Sequence, residues 1–394
     1  MPEGYKTMEL AARLQTARKR RGLTQKELAD LADISVSLVR KIEQGVVQDT
    51  RLETVRRLAA ALRVPTMSLI GPSQGEEEND LSAHIEIWDA TKRALVGRIE
   101  QPTEAPTSEG VRAAFDALKP LMAVHQYAEV SQTLPYLLRD ADALNGSGRA
   151  IRSQLLNFAG WFFVQTRQYS TADVTLQLAL DTADNRLDAA AAVSTMAWLH
   201  LRRGLLDEAR SITTTWADEI EPRFSRATAG ELSAWGQLLL FASAAAIRDN
   251  REGEAEDMLK LARAAAARIG HEILADTSTA RTFGPSTVAM QRAENATIQD
   301  RPDKVLKIAE QIPEQLLLAK AAGRNRHHLD VANALVSTRR TSEALGVLMK
   351  LSQASPEWIS VQHYAKDILT RVISRRRTLT EEMRALADVV KMPY

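Results

Sequence analysis

Apolar residues recur along this chain at the three-and-four spacing of α-helices, and the alternation of strands is almost absent. Leu10 and Leu14 give an inward face to a helix from about Thr7 to Arg21, which Gly22 ends, while residues 1–6 read as unstructured. Leu28 and Leu31 mark the buried face of a second helix, from about Gln25 to Ala32. Val39 and Ile42 mark a third, capped by Ser35 and closed by Gly45. Leu52, Val55, Leu58, Ala59 and Leu62 stripe a fourth, from about Arg51 to Leu62, and Pro65 opens a short fifth through Ile70. Local chemistry agrees with this division. Thr24 with Glu27, and Thr50 with Glu53, have the spacing of capping boxes. Asp33 stands where the turn between the second and third helices needs a residue tolerant of positive φ.

Gly71 to Asp80 is polar and acidic, and it separates the first helices from the rest. A connecting helix from about Leu81 to Val96 follows, then a break at Gln101 to Thr107 with Pro102 and Pro106. From Ser108 the pattern is helix after helix, in pairs. The phrase His125-Gln126-Tyr127-Ala128-Glu129-Val130 recurs in degraded form at 167–172, 204–209, 250–255, 300–305 and 339–344. Aligning the small residue that ends each gives intervals of 42, 37, 46, 50 and 39. These exceed the ~34 residues of a tetratricopeptide repeat but keep its two-helix unit. Six degenerate repeats are expected, with first helices at about 110–124, 149–166, 187–203, 227–249, 284–299 and 324–338; an irregular helical bundle is the alternative. Arg281-Thr282-Phe283-Gly284-Pro285-Ser286 interrupts the helical pattern. Helices at about Glu357–Arg377 and Thr380–Lys391 close the chain.

Composition narrows the class. With 394 residues there is room for two or three domains. No run of 18 apolar residues exists, so no membrane span is expected. The first 30 residues are rich in Arg and Lys without an apolar core, so no signal peptide is read there. The chain has no cysteine, which excludes disulfides and thiolate metal sites and suits a cytoplasmic protein. The net charge of +1 hides an asymmetry: residues 1–72 hold 13 Lys and Arg against 8 Asp and Glu, and the remainder 38 against 42. A basic head on a mildly acidic body fits a head that meets phosphates.

The stretch LTQKELADLADISVSLVRKIEQG, Leu23 to Gly45, resembles the helix-turn-helix of the XRE (Cro/C1) family. The likeness lies in the Leu-Thr-Gln opening, the Glu-Leu-Ala core, the Ile-Ser entry to the second helix and its Ile-Glu-x-Gly exit. Asp33 departs from the family's usual glycine at a cost of up to about 1 kcal/mol. The resemblance implies a five-helix domain, here residues 1–71, whose third helix lies in the major groove of double-stranded DNA. Val36, Ser37, Arg40 and Lys41 point away from Val39 and Ile42 by spacing. Val36 is placed to touch a thymine methyl, Ser37 to hydrogen-bond, and Arg40 or Lys41 to read guanine. Ser35, as N-cap, completes the set, and the resemblance assigns Gln25 to a phosphate. Glu43 reads as structural, and the Arg18-Lys19-Arg20-Arg21 cluster as either a phosphate contact or a solvated helix end.

An XRE head joined through a linker (72–107) to a tetratricopeptide-like body (108–394) resembles the Rgg/PlcR-type quorum-sensing regulators. Arg281 to Ser286 is similar to a phrase in large regulators of high-GC bacteria with the same arrangement. The resemblance implies an all-α protein, a five-helix head followed by an α-solenoid, acting as a homodimer whose body binds a short signalling peptide. Polar residues on the first helices, with Arg281 just before one of them, are the ligand candidates: Asn157, Gln237, Arg281, Asn295, Arg326 and Asn333. Amides can grip a peptide backbone, and arginine can grip a carboxylate in a fork. Trp161, Phe162 and Phe163 read as core. No Walker loop, GxGxxG after a strand, HExxH or GxSxG is present, and His327 and His328 are adjacent, a poor chelating geometry. Neither catalysis, metal nor cofactor is expected. A ligand-responsive DNA-binding regulator is the first expectation. A protein-interaction scaffold carried to DNA by its head, or a small-molecule receptor, is the alternative.

Overall fold

The computed structural model describes residues 3–47, 50–64, 66, 69, 88–97, 102, 104–123, 127–276, 278–279, 281–312, 322–360, 362–374 and 379–390. The head contains α1 (Glu3–Arg20), α2 (Gln25–Ala32), α3 (Val36–Glu43) and α4 (Leu52–Leu62). The first helix starts earlier than its apolar pattern requires, so the expectation of an unstructured 1–6 is corrected from Glu3 onward. Leu14, Leu28, Val39, Ile42, Val55, Leu58 and Leu62 meet in one core. Thr24 and Glu27 form the expected capping box, and Asp33 ends α2 in the left-handed region at φ 51°. Two expectations are corrected. The second capping box does not form: Arg51, not Thr50, is the N-cap of α4, and Glu53 pairs with Arg57 instead. Leu31 is 60% exposed, because Leu28, Ala29 and Ala32 already fill the buried face of α2. The expected fifth helix lies largely outside the described residues.

The acidic linker and the first half of the connecting helix also lie outside them. Its second half is α5 (Asp89–Leu95). Trp88, fully buried, anchors it to the body beside Phe162 and Phe163, with ring centroids 5.0 and 6.2 Å away.

The body is six helix pairs: α6 (Ser108–Ala123) with α7 (Tyr127–Ala143), α8 (Arg149–Gln165) with α9 (Tyr169–Thr182), α10 (Arg186–Arg203) with α11 (Leu206–Glu219), α12 (Ala229–Arg248) with α13 (Glu252–Ile269), α14 (Pro285–Ile298) with α15 (Pro302–Ala309), and α16 (Ala322–Ser337) with α17 (Thr341–Ala354). Three short helices follow, α18 (Pro356–Ser360), α19 (His363–Ile373) and α20 (Glu381–Val389). The first of the two expected terminal helices is therefore split near Gln362.

Five of the six pairs share one turn. Arg167, Gly204, Asn250, Asp300 and Arg339 each sit at positive φ between 57° and 74°. The amide after each donates to the carbonyl five residues earlier: Gln168 to Phe163, Leu205 to His200, Arg251 to Ala246, Arg301 to Ala296 and Arg340 to Leu335. This is the Schellman closure of a helix C-terminus. Five residues beyond each left-handed position stands the aligned small residue of the sequence repeat. Ala172, Ala209, Ala255, Val305 and Ala344 are at most 1% exposed, as is Val130 in the first pair. First helices also pack on first helices, α10 on α12, α12 on α14 and α14 on α16, so they share a face of the stack.

One element was not foreseen. Between α13 and α14 the chain forms an antiparallel hairpin, β1 (Ile273–Asp276) and β2 (Arg281–Phe283), pairing Ile273 with Phe283 and Leu274 with Thr282. Phe283 is fully buried against Gly236 of α12, where a β-carbon would collide with its ring. Gly236→Ala is expected to destabilise the protein by about 1–3 kcal/mol through overpacking, although alanine is the better helix former. A lower urea midpoint with an unchanged slope is the result to look for.

Candidate nucleic-acid interface and ligand groove

In the head, Ser35 Oγ accepts from the Leu38 amide at 3.1 Å and fixes the start of α3. Ser37, Arg40 and Lys41 are exposed on that helix, while Val39 and Ile42 are buried. Val36 is half-buried and rests partly on the core. The expected base-reading positions thus share the outer face of α3, with Val36 at its edge. Glu43 locks this helix to the others. Its carboxylate accepts from Arg18 Nε at 2.6 Å and Nη2 at 2.8 Å, and from Gln25 Nε2 at 2.8 Å. Burial pushes the Glu43 carboxyl up, but the hydrogen bonds from Arg18 and Gln25 outweigh it and hold it below the usual range. In the DNA-free chain the amide of Gln25 is therefore turned to Glu43. Arg18 leaves the basic cluster for the same partner, and Lys19 and Arg21 remain exposed.

On the body, the six expected ligand residues fall into three environments. Asn157, Gln237 and Arg281 meet around the hairpin. Asn157 Nδ2 donates to Ser278 Oγ at 2.8 Å, and Gln237 Nε2 to the Thr282 carbonyl at 2.5 Å. Arg281 Nη1 donates to Thr195 Oγ1 at 3.1 Å, with its guanidinium over the Phe241 ring. The hairpin thus lies across α8, α10 and α12 and takes up the polar groups those helices offer. Asn295 bridges helices: it donates to Ser243 Oγ at 2.8 Å and accepts from Gln291. Asn333 accepts from Arg371 of α19.

Arg326 belongs to an ionic cluster that the sequence reading did not assemble. It lies 3.4 Å from Asp330, 3.9 Å from Glu294, and over the Tyr364 ring at 4.5 Å. Arg248 of α12 grips the same Glu294. Burial raises the Glu294 carboxyl, but Arg248 and Arg326 together hold it below its ordinary value. Burial pushes Asp330 well above the carboxylate range despite Arg326. Asp330 stands between Arg326 Nε, its ion-pair partner, and the Tyr364 hydroxyl, and all of these atoms are buried. Beside this cluster stands Arg202, at the end of α10. Burial lowers its pKa, the like charges of Arg167 and Arg326 lower it further, and the Tyr169 hydroxyl, a hydrogen-bond partner, raises it. Its Nε is buried and unpaired among the described residues. Arg202 gave no signal in sequence beyond its place near the end of a first helix; Arg326 and Asp330 are readable as an i, i+4 pair.

The described residues contain no group of three or more metal-ligating side chains, and no described helix is long and apolar enough to cross a membrane.

The head has helix-turn-helix geometry with the outer face of α3 exposed, and paired helices follow it. Residues 14–69 match the helix-turn-helix family model. No curated protein matches the chain. Among solved structures, the crystal structure of Bacillus thuringiensis PlcR in complex with the peptide PapR7 and DNA is similar at 16% identity, over 77% of this chain and 95% of that one, with a TM-score of 0.34.

His327, next to the cluster, offers a pH test. It is 4% exposed, and burial together with His328 pushes it down to about 4. A histidine depressed in the folded state leaves stability untouched above its ordinary pKa and costs stability as pH falls from there towards the folded value. Between pH 7 and pH 5 this group is expected to remove about 2 kcal/mol. Urea titrations at the two pH values should show that loss in the natural protein and a shallower one in His327→Gln.

Proposed function

We propose that the protein is a cytoplasmic, ligand-responsive transcription regulator that binds DNA as a homodimer. Residues 1–71 read the operator, 72–107 connect, and 108–394 sense the ligand and pair the two copies. One head makes few base contacts, and two heads on half-sites about one helical turn apart supply affinity and specificity.

The observation that carries the ligand reading is Arg202. A half-buried arginine whose Nε is buried without a hydrogen bond, close to two other arginines and with no carboxylate paired to it among the described residues, is costly unless an anion completes it. With Arg326 it offers a fork for a carboxylate. The ligand proposed is a short peptide held by a carboxylate, its terminus or an acidic side chain. The hairpin supports a division of this face: amides of the first helices near it hydrogen-bond the hairpin, whereas Arg202 beyond it has no carboxylate among the described residues. Asn157, Gln237, Arg281, Asn295 and Asn333 frame the groove in this reading, and Arg326 touches the ligand.

Fluorescence anisotropy on DNA from upstream of the protein's own gene, against scrambled DNA and with fractions of a cell extract, tests the whole reading. Selective binding altered by a peptide-containing fraction is the expected result. Selective binding that no fraction alters overturns the ligand role. Arg202→Met is expected to abolish the response to that fraction and leave DNA affinity unchanged. Arg40→Ala is expected to relax preference at one base position by about 1–3 kcal/mol, measured by competition among operator variants.

A further inference from the structure

The head is not simply tethered to the body; it rests on two of the repeat turns. Asn250, the left-handed residue between α12 and α13, spends its whole side chain on the head. Its Oδ1 accepts from Arg56 Nη1 at 3.1 Å, and its Nδ2 donates to the Arg56 carbonyl at 3.4 Å and to Thr66 Oγ1 at 3.2 Å. The Thr66 hydroxyl, fully buried, donates in turn to the Arg248 carbonyl at 2.9 Å. At the next turn Asp300 lies 3.8 Å from Arg57. At the far end of α4, Arg51 lies 3.4 Å from Asp367 of α19, though both are well exposed and this pair adds little. Between head and body a cleft of about 570 Å³ remains, with Leu31 on its wall.

Arg248 faces two ways. Its main chain receives Thr66 of the head, and its side chain holds Glu294, which Arg326 also holds. We propose that the turn at Arg248–Arg251 is a latch for the head, and that the Glu294 end of the groove governs it through Arg248. A guest carboxylate that draws Arg326 from Glu294 changes the grip on Arg248, the last residue of α12, and so the position of the carbonyl that seats Thr66. The seat consists of three neutral hydrogen bonds and one from the charged Arg56 guanidinium, each modest in net worth, so a small displacement suffices to open it. Ser37, Arg40 and Lys41 take no part in these contacts; the latch sets where the head stands and leaves its reading face alone. The control by the groove rests on the ligand reading above, whereas the seat itself does not.

The absence of cysteine in the natural sequence makes the test direct. Nitroxides on the full-length protein at Lys26→Cys and Lys260→Cys report the head–body distance by pulsed electron resonance, without DNA or ligand. A single narrow distance is expected, lost in Asn250→Gly with Thr66→Val; glycine keeps the left-handed turn and removes only the amide. Glu294→Gln, which touches no head residue, is expected to lose it as well. Arg248→Gln, which keeps the main-chain carbonyl, repeats the test from the other side and decides the matter if Glu294→Gln does not fold. A broad distance in the natural sequence, or a narrow one in Asn250→Gly/Thr66→Val, overturns the seat. A narrow distance in folded Glu294→Gln or Arg248→Gln overturns the control by the groove. No arm uses a ligand, so failure of the ligand reading appears separately, in the anisotropy experiment.

Discussion

The architecture depends on one local constraint, repeated: a left-handed residue followed at a fixed offset by a small, fully buried one. The left-handed turn reverses the chain within a few residues, and the short side chain lets the returning helix approach the one it left. Five turns meet this constraint with four different residue types, Arg, Gly, Asn and Asp. The geometry is therefore imposed by the packing of the pair rather than by the intrinsic ease of glycine, since an ordinary residue pays roughly 1 kcal/mol or more for this conformation. The helices vary in length and the turns do not, and because of this the first helices come to share a face.

That shared face is chemically divided. Around the hairpin, Asn157 Nδ2, Thr195 and Gln237 make hydrogen bonds to the hairpin, and Phe283 fills the space a side chain at position 236 would need. Farther along, Arg326 and Asp330 form an ion pair, and Arg202 keeps a buried Nε without a hydrogen bond among the described residues. Buried polar groups in native proteins are rarely left so. A protein that needed these side chains only for stability would gain by replacing them with apolar ones, because desolvation of a buried ion pair can exceed its Coulombic return.

The sequence was most legible where one residue type has few alternatives. The capping box at Thr24, the N-cap at Ser35 and the turn at Asp33 are short-range chemistry, and they fall where reading placed them. The small residues at 130, 172, 209, 255, 305 and 344 gave the repeats, and the first helices lie within a few residues of their expected bounds. The failures have a common physical source, tertiary competition. Thr50 lost its cap role because α4 starts one residue later, and Leu31 faces the interdomain cleft because two alanines share its buried face. The hairpin was seen only as a break in the helical pattern: two strands of four and three residues carry too little alternation to signal pairing. Arg202 and Arg248 were invisible as site residues for the same reason. Their neighbours, Tyr169, Arg167 and Arg326 for Arg202 and Glu294 and Thr66 for Arg248, are distant in the chain, and no local pattern encodes such a meeting.

The two ends of the chain are linked by a reuse of the same device. Among the five left-handed turn residues, Asn250 and Asp300 direct their side chains to the head. At Asn250 the projecting group is an amide with one acceptor and two donor hydrogens, and the head presents a guanidinium, a carbonyl and a hydroxyl to match it. Glycine at this position, as at Gly204, would close the turn at lower strain. The choice of asparagine therefore trades local ease for a contact with a distant domain, and it places that contact two residues from Arg248, where the α12 helix ends in the ionic cluster. In the proposed latch, the only stretch between the Glu294 cluster and the head's seat is this one helix end, which holds Glu294 by its side chain and Thr66 by its main chain.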